Sequence, residues 1–325
     1  MAGGQERILR GRIKSVQSTK KITKAMELIA TSRIVKAQAR VAAARPYAEQ
    51  ITAVIRNLAA GGAGLSHPLL AGREDIRSVA YVAVTADRGL AGSYNSGIIR
   101  HTERAMAADR DAGRDVKLFT VGKKATGYFR FRHVHLDGSF LGVTDQPTYE
   151  QAKEIAVAVA SAFDSGDVDA VEVVYTEFLS AGSQRVVQRR LMPLDAAVIT
   201  EATEGGVPAS YEFEPTPDLI LEHLLPRYAE ARLFAALLDA SASEHAFRQR
   251  AMKSASDNAD ELIKTLSRIM NRARQDAITT EIMEIVGGAE AMRQAQSHEE
   301  DTIIDQVFPA DLFPADSSPT KGRLP

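Results

Sequence analysis

Apolar residues repeat at helical spacing at both ends of the chain and at strand spacing in the middle. From about Gln5 to Leu58 the apolar positions Ile8, Ile13, Val16, Ile22, Met26, Ile29 and Ile34 lie mostly three or four residues apart. Small or polar residues fill the longer gaps, so the stripe is narrow, closer to a coiled-coil seam than to a broad core face. Pro46 predicts a kink or a loosened turn, after which the spacing resumes at Tyr47, Ile51, Val54, Ile55 and Leu58 and ends in Ala59-Ala60-Gly61-Gly62-Ala63-Gly64. A second long helix is predicted from about Asp218 to Val286, with Pro226 in its opening turns. Its segment Leu233-Phe234-Ala235-Ala236-Leu237-Leu238 is apolar nearly all round and predicts burial on every side. Further along, Ala259, Leu262, Ile263, Leu266, Ile269, Met270, Ala273 and Ala277 form a heptad-like seam, and Gly287-Gly288 predicts the helix stop. At 1.5 Å per residue each helix would be roughly 80–100 Å long, far beyond the three turns of an average helix.

Between the two helices the period changes. Ser78–Val84 is a buried-strand run, 85–93 a turn, and Tyr94–Ala108 a helix. Val116–Val121 is a second strand, Gly122–Phe131 a short helix, and Val134-His135-Leu136 a candidate short strand. Tyr149–Phe163 reads as helix, and Asp169–Phe178 and Arg185–Met192 as two further strands. Strands alternating with helices predict an α/β sheet domain of Rossmann-like type. The expected fold is therefore α/β: a long antiparallel coiled coil of N- and C-terminal helices plus a Rossmann-like domain. The expected boundaries are 1–60 and 218–288 for the helices and 77–212 for the α/β domain. Thr200–Pro217 is read as a polar linker, and 291–325, acidic and Pro/Ser-rich with Phe-Pro-Ala-Asp twice, as a disordered tail.

Composition narrows the function classes. The 325 residues carry a net charge of -2, 45% hydrophobic residues, and neither Cys nor Trp. Without cysteine there is no disulfide, thiolate metal site or Cys nucleophile. The first residues lack the apolar core of a secretory signal, and no run approaches the ~18 apolar residues of a membrane span. The charge is uneven. Residues 1–60 hold twelve Lys and Arg against three acidic residues, a surplus of nine, so the remainder carries a net charge of -11. The first helix is basic, which predicts an acidic or polar partner surface.

Candidate chemistry is thin. The turn Asp87-Arg88-Gly89-Leu90-Ala91-Gly92-Ser93 stands between a strand and a helix, where backbone amides can hold phosphate. It has neither the Gly-x-Gly-x-x-Gly spacing nor a following Gly-Lys-Ser/Thr, so a structural turn is the stronger reading. His133 and His135 alternate along a candidate strand, but no third ligand joins them except Asp137. Ser183, in Ala181-Gly182-Ser183-Gln184, is not in a nucleophile elbow. The basic first helix contains one aromatic residue, Tyr47, and lacks the interleaving of a nucleic-acid surface.

Two stretches stand apart. Lys20–Ala30 on the first helix and Asn271–Ile282 on the second are dense polar–apolar mixtures. Pairing two helices does not require polar groups all round, so an outer sleeve touching them lightly is the natural inference. These stretches resemble the gamma-subunit family of F-type ATP synthases. The matching motifs are Ile13-Lys14-Ser15-Val16-Gln17-Ser18-Thr19, Lys21-Ile22-Thr23-Lys24-Ala25-Met26-Glu27, Ala86-Asp87-Arg88-Gly89-Leu90, Ser243-Glu244-His245-Ala246 and Ala251–Ala259. Asn271-Arg272-Ala273-Arg274-Gln275, Ile278-Thr279 and Glu284-Ile285-Val286-Gly287-Gly288-Ala289 complete a match that spans residues 1 to about 290.

The resemblance implies a central rotor stalk. The paired helices would stand inside a ring of alternating alpha and beta subunits. The α/β domain would sit beside the epsilon subunit on the ring of c subunits, peripheral to the cell membrane on its cytoplasmic face. It implies no catalytic residue, cofactor, nucleic acid or small-molecule substrate for this chain, the nucleotide sites belonging to beta. By position in the motifs, Lys24, Met26, Arg268, Gln275, Thr279 and Glu281 are the candidates for rotor–stator coupling, with packing inside the seam as the alternative for Met26. Two segments depart from the family pattern: the 35 or so residues after Ala289, and Phe163–Glu172, where some actinobacterial members carry an extra loop.

Overall fold

The computed structural model describes residues 2–60, 69, 75–194, 214 and 216–307. They form α1 (Ala2–Ala60), β1 (Ser78–Val84), α2 (Tyr94–Asp111), β2 (Asp115–Val121), α3 (Lys123–Phe131), β3 (Gly138–Phe140), α4 (Tyr149–Asp164), β4 (Ala170–Phe178), β5 (Gln184–Met192) and the final helix α5 (Pro217–Val307). The long N- and C-terminal helices and the α/β sheet between them are the fold class expected from the sequence. The chain divides into two compact units, one of residues 1–19 and 259–325, the other of 20–258.

The larger unit is built on a five-stranded sheet ordered β3-β2-β1-β4-β5. β1 pairs in parallel with both β2 and β4, β2 in parallel with β3, and β5 closes the edge as an antiparallel hairpin with β4. β1 is central and buried at all but its first position, which is why it reads as an unbroken apolar run. Its side chains alternate between two cores. Val79, Tyr81 and Ala83 pack with Ile98, Met106 and Phe129 of α2 and α3. Ala80, Val82 and Val84 face Ile155, Val159 and Phe163 of α4, with Ile51, Ile55 and Leu58 of α1 and Leu221, Leu225, Leu233 and Leu237 of α5 in the same core. The inner parts of both long helices are thus a layer of the α/β domain. A capping box starts α4: the Gln151 amide donates to Thr148 Oγ1, and the Thr148 amide to Gln151 Oε1.

Burial along α1 recurs at Leu9, Ile13, Val16, Lys20, Thr23, Glu27, Ala30, Ile34, Ala37, Val41, Ala44, Ala48, Ile51, Ile55 and Leu58. The steps alternate four and three without exception, a 3.5-residue period that keeps one seam covered along the helix. This corrects the expected stripe. Ile8, Ile22 and Ile29 lie outside the seam and are more than half exposed, while Lys20, Thr23 and Glu27 lie within it. The seam tolerates them because they find partners or fold back on the helix: Thr23 shares a 2.7 Å hydrogen bond with Ser256 of α5, and Glu27 takes the ammonium of Lys24 at 3.0 Å. In the smaller unit α5 repeats the rhythm at Ala259, Ile263, Leu266, Met270, Ala273 and Ala277, each buried or half-buried.

α1 runs through Pro46 as one helix, as expected for 1–60, whereas two local expectations are corrected. α5 runs through Gly287-Gly288 to Val307, so 291–307 is helical. The glycine pair costs about 2 kcal/mol of helix propensity, but the following residues Ala289–Ala295 are good helix formers, with an ion pair between Glu290 and Arg293. The short third strand is Gly138–Phe140, not 134–136. Arg132–Val134 instead close α3: His133 takes a left-handed φ of 55°, its amide bonds Arg130 O, and the Val134 amide bonds Phe129 O. Residues 308–325 and most of the expected linker lie outside the described residues.

Candidate functional site

In a doubly wound sheet, ligands sit beyond the carboxyl ends of the strands, where the order reverses. Here that point lies between β1 and β4, and the turn after β1 is Thr85–Ser93. Its groups are spent on the fold. The first amides of α3, which would otherwise attract an anion, are all taken: Lys123 N by Asp87 Oδ1 at 3.1 Å, Lys124 N by Ala86 O at 3.1 Å, and Ala125 N by Thr85 Oγ1 at 2.8 Å. Asp87 also accepts from Gly142 N, Thr144 N and Thr144 Oγ1, so the chain's own side chain takes these donors. Gly122, at φ 93°, allows this close approach, since a Cβ there would stand 2.2 Å from Thr85 O.

The space above the turn is filled by α5. Ser243 Oγ donates to Thr176 O of β4 at 3.0 Å, Tyr94 OH to Ala240 O at 3.2 Å, and the Arg248 guanidinium to Gly89 O. Phe247 stacks at a tilt on Tyr94, with ring centroids 5.8 Å apart. Charged groups are buried with this helix segment. Arg248 is paired with the buried Glu244; burial raises the Glu244 carboxyl, and Arg248 opposes that shift. Burial, with the nearby Arg248 charge, pushes His245 down to about 4, so the ring is neutral near pH 7. Asp239, buried near Glu177, is pushed up to about 7, chiefly by desolvation.

The sequence-predicted coupling residues fall into both units. In the larger, Lys24 is exposed and paired with Glu27, while Met26 is half-buried. Met26 lines a cavity of about 410 Å³ with Ile29, Ala30, Arg88, Leu90 and Arg248, so it sits beside the Asp87–Gly92 turn. In the smaller, Arg268, Gln275, Thr279 and Glu281 are exposed on α5, and Thr279 Oγ1 bonds back to Gln275 O at 3.0 Å. His133 and His135 do not alternate on a strand; His133 caps α3, and His135 Nε2 stands 3.9 Å from Asp137 Oδ1. Ser183 belongs to the β4–β5 turn, its amide bonded to Ser180. The cluster sequence reasoning missed is Arg33, Asp145, Glu244, His245 and Arg248. Its one signal was charge within the Ala/Ser/Leu-rich stretch 236–246, where a buried helix would otherwise be apolar.

Fold and site define a class: an α/β protein of doubly wound order whose ligand crevice is closed by one of its own two long helices. Residues 5–292 match the family model described as ATP synthase. The chain belongs to the ATP synthase gamma-chain family. It is 53% identical over 293 residues to the ATP synthase gamma chain of Frankia casuarinae, covering 89% of this chain and 98% of that one. The gamma chain of Mycobacterium tuberculosis is 48% identical over 303 residues, with the same coverage. Among solved structures, the central stalk and c-ring of the Tetrahymena thermophila mitochondrial ATP synthase contains a chain matched at TM-score 0.57 and 26% identity, over 72% of this chain and 99% of that one. A chain of the Euglena gracilis mitochondrial ATP synthase matches in fold at TM-score 0.66 and 18% identity, over 90% and 96%.

Proposed function

We propose that this chain is the non-catalytic rotor of a proton-translocating ATP synthase. Its partners are a ring of alternating alpha and beta subunits, an epsilon subunit and a ring of c subunits, and it is held peripherally at the cytoplasmic face of the membrane. The observation that carries this reading is the apolar surface left outside the seams. On α1, Leu28 and Val35 are 62% and 63% exposed; on α5, Ile282, Met283, Ile285 and Val286 are all more than half exposed. Residues of this kind have no cover among the described residues and fit a surrounding sleeve. Among the described residues, no helix is long and apolar enough to cross a membrane.

The mechanism follows from asymmetry. Two paired helices cannot show the same face to three identical catalytic subunits, so each subunit is biased to a different conformation. About 1.4 kcal/mol of differential contact is a tenfold change in nucleotide affinity. Rotation driven by the c-ring permutes the biases, and beta releases ATP in turn. Contacts that form and break each turn suit the polar, hydrated surfaces around Lys24, Arg268, Gln275, Thr279 and Glu281, with Met26 at the edge of the seam. Met26→Lys in the assembled complex is expected to lower proton pumping per ATP hydrolysed. Pumping at the wild-type ratio would count against a coupling role for Met26.

A further inference from the structure

Within the larger unit, both long helices must turn with the sheet if rotation is to pass between them, and apolar packing, being non-directional, does not by itself specify which residues must meet. Directional ties are therefore informative. The loop between β3 and α4 carries a pair of adjacent residues facing two ways. Thr144 binds the Asp87 carboxylate through its amide and its hydroxyl, and its hydroxyl accepts from the Asp87 amide at 3.0 Å, which fixes the loop to the turn after β1. Asp145 faces the helices. Its carboxylate takes the guanidinium of Arg33 from α1 and stands 3.7 Å from His245 Nε2 of α5. Its carbonyl accepts from Ser241 Oγ of α5 at 3.0 Å.

We propose that Asp145 is a positioning residue that locks both long helices to the sheet domain and so carries torque between them. The geometry suits this. Arg33 and Asp145 are each about one-third exposed, sheltered enough for a charge-assisted bond to hold against water. Ser241 and His245 lie one turn apart on the same face of α5, the first bonded to Asp145 and the second facing its carboxylate. Burial alone would raise the Asp145 carboxyl, but the Arg33 hydrogen bond and the nearby charges, Arg88 among them, hold it below the usual range and keep it ionised. One residue of the sheet domain thus meets both long helices, α1 through its carboxylate and α5 through its carbonyl.

The inference rests on the rotor reading, and the experiment separates the two. The full chain, wild type or variant, is assembled with its partner subunits in membrane vesicles, and ATP hydrolysis and ATP-driven proton pumping are measured together. For Asp145→Asn, which keeps the backbone tie to Ser241, protons pumped per ATP are expected to fall about fivefold, the lower end of coupling between linked sites. Arg33→Gln is expected to give the same loss, and the double variant no more than either alone, because both remove one interaction. A wild-type ratio in Arg33→Gln or Asp145→Asn overturns the proposal, as does a parallel fall of hydrolysis and pumping at constant ratio, or additive losses. If Asp145→Asn does not assemble, Arg33→Gln on the more adaptable partner decides alone. Failure of the rotor reading shows elsewhere: the wild-type chain would then fail to confer proton pumping at all.

Discussion

Helix α5 is two helices in one, chemically speaking. From Tyr228 to Met252 every position is buried or partly buried, whereas from Ala277 to Ala295 all but Ala277 are exposed. The first stretch is rich in Leu, Ala and Ser, and two of its charges, Glu244 and Arg248, are buried and paired. The second alternates Ile, Met and Val with Glu, Arg and Thr on all sides. The lesson is that hydrophobicity alone does not tell where a helix is used. The inner stretch is apolar because this chain covers it, and the outer stretch stays partly apolar because another molecule must.

The contrast can be broken most strongly at Leu237, fully buried in the inner stretch. Leu237→Ala is expected to cost about 4 kcal/mol by urea unfolding, whereas Ile282→Ala should change the stability of the chain alone by less than about 0.5 kcal/mol. Equal losses would remove the distinction. Glycine gives the next test. Gly122→Ala should cost about 3 kcal/mol, since its φ is left-handed and the new Cβ meets a carbonyl. Gly288→Ala meets nothing within 4 Å and should stabilise the helix by about 0.5–1 kcal/mol, read by circular dichroism.

A further effect depends on pH. Asp239 titrates at about 7 in the folded chain, against an ordinary carboxylate when unfolded, with Glu177 raising it and Arg45 lowering it. The folded state therefore binds the extra proton between these values, and stability falls as pH rises through that window. Asp239→Asn should stabilise by about 1–2 kcal/mol near pH 8, after allowance for partial solvation, and by almost nothing near pH 4. His245 acts in the opposite sense. Its pKa is depressed to about 4, so its share of stability is present above the ordinary histidine range and is lost as pH falls toward 4.

Legibility in the sequence followed the range of the interaction. β1 could be read residue for residue, because a central parallel strand shows as a continuous apolar run. The seam of α1 was misread because apolar residues were taken as its markers, when Thr23 and Glu27 are covered and Ile22 and Ile29 are not. What reverses that rule is the partner: Ser256 lies 233 residues away and no local pattern announces it. The strand after α3 slipped by four residues because His133, a non-glycine residue, takes the left-handed position that ends the helix. The motif Ser243-Glu244-His245-Ala246 was visible as a family mark, but its link to Asp145, about a hundred residues earlier, was not.

Asp87 has one more consequence. A carboxylate fixed by the Lys123 amide of α3 and the Gly142 amide is an anion that cannot diffuse away, so its effective concentration at that seat exceeds what a free phosphate would reach in solution. A free anion would have to displace this tethered one before it could reach the same donors.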